Sequence, residues 1–112
     1  MPVPKPATKV DADELHNAMR HGAMSEIVKS IAETQIGFTI ALPGIPQGIR
    51  KTLREHGMHA VTTRFLTATL ATYPKTFGAQ LPDDLRGPFV QAYEVAAASF
   101  IEAWLASNEV ES

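Results

Sequence analysis

The sequence predicts an all-α protein, a bundle of four to five helices that forms a dimer through its C-terminal helix. Apolar residues recur at three- and four-residue spacing over most of the chain, which places them on one face of a helix. Prolines and glycines separate these stretches, as they do between helices in bundles. With 112 residues the chain is long enough for one hydrophobic core.

The longest helical pattern runs from Pro88 to Ser107 and contains the single tryptophan. Its apolar stripe consists of Phe89, Tyr93, Ala96, Phe100 and Trp104, widened by Ala92, Ala97, Ile101 and Leu105. Polar residues such as Gln91 and Glu102 fall largely on the opposite side. This face predicts either the core of the bundle or an interface with a second copy.

The chain divides into an N-terminal arm (1–10), one helical domain (11–107) and a polar tail (108–112). Three prolines and two lysines in the first ten residues favour an extended arm. Asp11 or Asp13 can cap the first helix. A helical period starts at Leu15 and is interrupted at Gly22, which predicts a kink or break between His21 and Ser25.

The segment from Ser25 to about Leu42 continues the helical period. Its last part, Gly37–Leu42, is rich in β-branched and aromatic residues, so a strand there is an alternative. We favour helix because no partner strand is apparent elsewhere. The sequence Leu42-Pro-Gly-Ile-Pro46 then ends this element, and Pro46 suits the first turn of a new helix that Gly57 caps.

Two helices fill the second half of the chain. The pattern predicts a helix from His59 to Tyr73, which Pro74 should stop. A loop is expected from Pro74 to Gln80, followed by a short helical turn at 81–84. The pair Gly87-Pro88 should then open the final helix.

Composition excludes several functional classes. The net charge of −2 gives no reason to expect a nucleic-acid partner, and the absence of cysteine excludes disulfides and thiolate metal sites. The first ten residues lack the apolar centre of a signal peptide. The longest weakly charged run, 34–49, contains prolines and glycines and does not fit a membrane span. We therefore expect a cytoplasmic protein.

The four histidines are weak candidates for metal binding or catalysis. His16 and His21 are five residues apart and point in different directions on a helix. His56 and His59 have a usable spacing, but Gly57 between them should end the helix. No nucleophile motif or phosphate-binding loop is present. We expect no metal and no cofactor, and a small helical enzyme that uses a histidine is an alternative function.

A locally basic segment raises the alternative of a transcription-related regulator. It contains Arg50, Lys51, Arg54 and Arg64, and residues 45–71 have the layout of a helix-turn-helix. However, the second helix has one arginine and an apolar stripe, Val61, Phe65, Leu66 and Leu70. Such a stripe predicts a core helix, so the sequence argues against nucleic-acid binding.

The excess of apolar helix surface favours a non-catalytic binding and dimerisation module. Candidate residues for a homodimer interface are Phe89, Tyr93, Ala96, Ala97, Phe100, Ile101 and Trp104. A charge at Ala97 should then separate the dimer. Alternatively these faces line a pocket for a small apolar ligand, with candidate wall residues Met19, Met24, Phe38, Tyr93 and Trp104.

The last third of the chain, LPDDLRGPFVQAYEVAAASFIEAWLASNEVES, resembles the end of the C-terminal domain in TetR-like transcriptional regulators. In that family a long helix rich in apolar and small residues ends in a tryptophan-leucine pair, here Trp104-Leu105, and a short polar tail. The resemblance covers 53–112 and implies a helical ligand-binding domain that dimerises through its final two helices. These 112 residues leave no room for the family's DNA-binding domain as well, so the resemblance implies an isolated sensor-like domain or a fragment.

Overall fold

The computed structural model describes residues 12–109 of the chain, with side chains for residues 12–107. It confirms the predicted all-α bundle, and the described residues contain no strand. The helices are α1 (Ala12–Ala18), α2 (Met24–Ile40), α3 (Ile45–His56), α4 (Met58–Phe77) and α5 (Asp83–Glu109), and a π-helical turn, Met19–Ala23, joins α1 to α2. The predicted arm and the end of the polar tail lie outside the described residues.

Helix α5 lies at the centre of the bundle, between α2 and α4. Its stripe Phe89, Tyr93, Ala97 and Ile101 is completely buried, and so are Val28, Ala32 and Ile36 of α2. The ion pair Arg20–Asp84 lies near the start of both helices, and a Cβ on Gly37 would lie 3.9 Å from Phe100 further along. These two contacts indicate that α2 and α5 run parallel.

Helix α4 packs on α5 in the opposite direction, and α3 packs mainly on α4. The Thr69 hydroxyl donates to the Tyr93 hydroxyl over 2.9 Å, and the rings of Tyr73 and Phe89 meet edge-on at 5.7 Å. Each apolar aromatic ring buried in this way stabilises the fold by about 1.5–3 kcal/mol. The contacts therefore fix α4 to the middle of α5.

The predicted break after α1 is confirmed at His21 and Gly22. Gly22 has φ 107°, a left-handed conformation that residues with a Cβ rarely adopt. The His21 ring caps the preceding turn, since Nδ1 lies 2.7 Å from the carbonyl oxygen of Asn17. The break redirects the chain so that α1 lies against α4 and α5 rather than continuing α2.

The structure also confirms the predicted helix boundaries around α3. Helix α2 continues through the ambiguous segment to Ile40, and the turn that follows ends at Gly44, which has φ 84°. Pro46 lies in the first turn of α3, as predicted. Gly57 follows the end of α3 with φ 91° and ψ 173°, a region that only glycine occupies freely.

Two predictions based on proline were wrong, because Pro74 does not stop α4 and Pro88 does not open α5. Helix α4 continues to Phe77 and ends at Gly78, whose N–H donates to the Pro74 carbonyl over 2.8 Å. Burial of Tyr73 beside Phe77, with ring centroids 4.6 Å apart, offsets the hydrogen bond that proline removes. Helix α5 already begins at Asp83, because Leu85 and Phe89, one turn apart, are both buried.

None of the described helices is long and apolar enough to cross a membrane.

The glycine at the α3–α4 junction provides a test of this fold. Gly57→Ala should lower the free energy of unfolding by about 1–3 kcal/mol, because its backbone conformation is closed to residues with a Cβ. Gly48→Ala is the matched control: it lies within α3, and an added Cβ meets no atom within 4 Å. It should raise the free energy of unfolding by about 0.5–1 kcal/mol. Urea unfolding followed by circular dichroism measures both; equal effects would contradict the junction geometry.

Candidate functional site

A cavity of about 270 Å³ lies between the end of α2, the start of α3 and the middle of α4. Its walls are mainly apolar, with a few polar groups, as is typical of small-molecule sites. The lining residues are Gln35, Thr39, Gly44, Ile45, Gly48, Ile49, Thr52, Val61, Arg64, Phe65 and Ala68. We call this space the α3 cavity.

Small residues account for the space. Gly48 on α3 and Ala68 on α4 line the cavity where larger side chains would fill it. An added Cβ at Gly48 or at Gly44 would meet no atom within 4 Å. Because α3 packs on α4 and contacts α2 only lightly, no other helix closes this side.

Three polar side chains in the α3 cavity have no partner among the described residues. Thr52 is 8 % exposed, and its hydroxyl makes no hydrogen bond there. The amide of Gln35 and the guanidinium of Arg64 also lack partners in the part of the chain that the structure describes. In contrast, Thr39 donates to the carbonyl oxygen of Gln35 over 2.8 Å. Because none of these three side chains is hydrogen-bonded within the described residues, each is available to a ligand.

A second cavity of about 250 Å³ lies between α2 and α4, but most of its hydroxyl groups are already bonded. The hydroxyls of Thr72 and Thr76 donate to carbonyl oxygens one turn earlier, at 3.1 and 3.0 Å. Thr69 is bonded to Tyr93, and Tyr73 to His16. This cavity is therefore a weaker candidate for a ligand site.

A shallow groove of about 640 Å³ runs between α2 and α5 on the outside of the bundle. Val95 of α5 lies in it and is 73 % exposed, which is unusual for a residue in the middle of a central helix. Lys29 and Glu33 of α2 line the opposite wall, and neither forms an ion pair within the described residues. We call this surface the α2–α5 groove.

One histidine is part of the core. His16 Nε2 lies 2.9 Å from the Tyr73 hydroxyl, and both residues are buried. Burial raises the pKa of Tyr73 to about 12, so that its hydroxyl stays protonated and can donate to a neutral His16 ring. No local sequence pattern indicates this pair, because its members are 57 residues apart.

The ion pair between Arg20 and Asp84 lies near His16. Arg20 binds both carboxylate oxygens of Asp84, through Nε at 2.8 Å and a terminal nitrogen at 3.0 Å. Burial lowers the pKa of His16, and the Arg20 charge lowers it further, while Asp13 and Asp84 act in the opposite direction. The hydrogen bond from Arg20 also lowers the pKa of Asp84, which lies at the positive end of α5.

The five pocket residues proposed from the sequence do not line one cavity. Tyr93 and Met19 are buried in the core, and Trp104 is half-buried with the Arg50 guanidinium 5.1 Å from its ring centre. Phe38 is 75 % exposed, and Met24 lines the α2–α5 groove. Helical spacing identified apolar faces correctly, but the α3 cavity combines residues of three helices that no single pattern connects.

The interface residues proposed from the sequence fall into two groups. Phe89, Tyr93, Ala97 and Ile101 are covered by α2 and α4 of the same chain, so they are not available to a second copy in this conformation. The second group, Ala96, Phe100 and Trp104, is half-buried at the edge of this buried stripe. A charge at Ala97 would therefore unfold the single chain and does not test association.

The remaining histidines lie on the surface. His59 is 3.6 Å from a carboxylate oxygen of Glu94, and His56 is 3.8 Å from one of Glu55. Within residues 12–107 no group of three metal-binding side chains comes together. None of the three cavities described above is lined by a histidine.

The second helix of the helix-turn-helix layout, α4, is a core helix. Val61, Phe65 and Leu66 are buried, and Leu70 packs against the core. Its apolar stripe faces the bundle, as the sequence predicted.

Comparison with models of protein families, with curated proteins and with solved structures found no match for this chain. The resemblance to the TetR-like C-terminal domain therefore stays a prediction.

The buried His16 predicts a pH-dependent stability. Its pKa in the folded protein lies below the value of 6.5 that applies when it is exposed. The folded state thus binds fewer protons than the unfolded state. The contribution of neutral His16 to the free energy of unfolding is therefore complete above about pH 6.5, and it is lost as pH falls through the lowered pKa. His16→Gln cannot titrate and should show a smaller loss of unfolding free energy between about pH 7.5 and pH 5.

The matched control is His56→Gln, which removes an exposed histidine instead of a buried one. Urea unfolding at a series of pH values measures the wild type and both variants. If His16→Gln and His56→Gln have the same pH dependence, His16 does not contribute to it in the way that its burial implies.

Proposed function

We propose that this chain is a non-catalytic binding module that holds a small, mainly apolar ligand in the α3 cavity. The observation that supports this proposal is a mainly apolar cavity in which the Thr52 hydroxyl makes no hydrogen bond to the described residues. A hydrogen bond between a ligand and this hydroxyl contributes about 0.5–1.5 kcal/mol to binding. Catalytic use of a histidine has no comparable support.

The size of the cavity limits the ligand. A cavity of about 150 Å³ can hold benzene. By the same proportion, a cavity of about 270 Å³ holds roughly ten or eleven non-hydrogen atoms. The part of a ligand that lies within the cavity is therefore smaller than a nucleotide or a dinucleotide cofactor. A sensor-like domain of the kind that the TetR-like resemblance implies would use such a cavity.

Indole, a neutral apolar probe of suitable size, tests the proposal. At about ten times its dissociation constant it should stabilise the folded protein by about 1.4 kcal/mol, which raises the unfolding midpoint by roughly 5 °C. Ala68→Phe fills the cavity from α4 and should abolish the shift. Ala71→Phe is the matched control, since Ala71 is an exposed residue of the same helix outside the cavity. An equal shift in both variants would show that indole binds elsewhere.

A second candidate function is homodimerisation through the α2–α5 groove. It is favoured by Val95, an apolar side chain that is 73 % exposed between the small residues Ala92 and Ala96. A two-fold axis through the groove can bring Lys29 of one copy to Glu33 of the other, because such an interface is self-complementary. The interface then lies on the exposed side of α5 and not on its buried stripe.

Val95→Glu tests the dimer. A charge buried without a partner in the interface costs about 2 kcal/mol or more, which corresponds to a roughly thirtyfold weaker dimer. Because Val95 is exposed in the single chain, the variant should remain helical. Ala71→Glu, which adds the same charge outside the groove, is the control. Native mass spectrometry measures the stoichiometry, and a wild type that is monomeric at all concentrations would contradict the proposal.

A further inference from the structure

We infer that the α3 cavity selects a small carboxylic acid, whose apolar body lies among the aliphatic side chains and whose carboxylate binds Arg64. This inference rests on the proposed function, because it names the chemical class of the ligand for the same cavity. Two independent observations support it: the charge of the cavity and the unpaired hydroxyl of Thr52.

Arg64 gives the cavity a positive charge that no other lining residue neutralises. It is the single charged residue among those that line the cavity. It is also exposed and forms no ion pair within the part of the chain that the structure describes. A guanidinium offers two parallel N–H groups that match the two oxygens of a carboxylate. One cation without an acidic neighbour therefore favours a monoanion.

Thr52 provides a hydrogen-bond donor from the opposite helix. It lies on α3, whereas Arg64 lies on α4, and both line the same cavity. The Thr52 hydroxyl is unpaired among the described residues, and the Gln35 amide is also free to donate. Hydroxyl and amide donors bind a carboxylate oxygen well. These groups could not be recognised from the sequence, where threonine and glutamine are common on helix surfaces.

The size of the cavity makes fatty acids of medium length suitable probes. Octanoate has a charged head and an unbranched apolar chain, and octanamide is its neutral counterpart of the same shape. Both have the roughly ten non-hydrogen atoms that the cavity volume allows. Comparing the affinities of these two compounds separates the contribution of the ligand's charge from that of its apolar chain.

Isothermal titration calorimetry at low ionic strength should show that octanoate binds about fivefold more tightly than octanamide, the upper range for an exposed ion pair. The preference should shrink when salt screens the charges. Arg64→Gln should make the two ligands equal, whereas Arg54→Gln should leave the preference unchanged. Arg54 is an exposed arginine that does not line the cavity.

Thr52→Val keeps the shape of the side chain but removes the hydroxyl, and it should weaken octanoate binding about threefold or more. Ala68→Phe should abolish the binding of both ligands if they occupy the α3 cavity. Circular dichroism of each variant should show unchanged helicity, since Arg64 and Arg54 are both exposed.

The outcomes separate this inference from the proposed function. If octanamide binds as well as octanoate, or if Arg64→Gln keeps the preference, the carboxylate inference is wrong and the apolar cavity remains a binding site. If neither compound nor indole binds, the proposed function and this inference both fail.

Discussion

The contact between α2 and α5 is the interaction on which the rest of the structure depends. Val28, Ala32 and Ile36 face Phe89, Tyr93, Ala97 and Ile101, and all seven are completely buried. Alanine on both helices lets the backbones approach closely, and the larger residues fill the space around them. The other side of the same α5 residues holds α4 through Tyr73 and Thr69, and the start of α5 holds Arg20 through Asp84. These contacts hold α4 and Arg20 against this pair of helices.

This arrangement determines where a ligand can bind. Because the apolar stripe of α5 is used for the core, the available space lies beside α3, which packs mainly on α4. Polar groups in the core are paired: His16 with Tyr73, and Thr69 with Tyr93. In the α3 cavity, the side chains of Gln35, Thr52 and Arg64 are unpaired within the described residues. The difference in hydrogen bonding distinguishes groups that stabilise the fold from groups that are free for a ligand.

The same constraint separates the two proposed activities in space. The α3 cavity is lined by α2, α3 and α4, whereas the groove proposed for dimerisation is lined by α2, α5 and Gly22. Helix α2 is common to both: Gln35 and Thr39 lie in the cavity, while Lys29 and Glu33 lie in the groove. A ligand in the α3 cavity would therefore contact the helix that also lines the groove.

The sequence by itself determined the helical class and the breaks that glycine and proline set around α2 and α3. Helical spacing and the conformations of glycine and proline are local properties, which is why the kink at Gly22, the start of α3 and the cap at Gly57 were predicted correctly. Tertiary packing decided the rest. Because Tyr73 and Phe89 are buried, α4 and α5 continue through Pro74 and Pro88, which local rules take as helix boundaries. Tertiary packing also decided that the stripe of α5 is covered by its own chain, because spacing shows that a face is apolar but not what packs against it. The α3 cavity needs residues from three helices, and only the folded chain brings Thr52 and Arg64 to the same space.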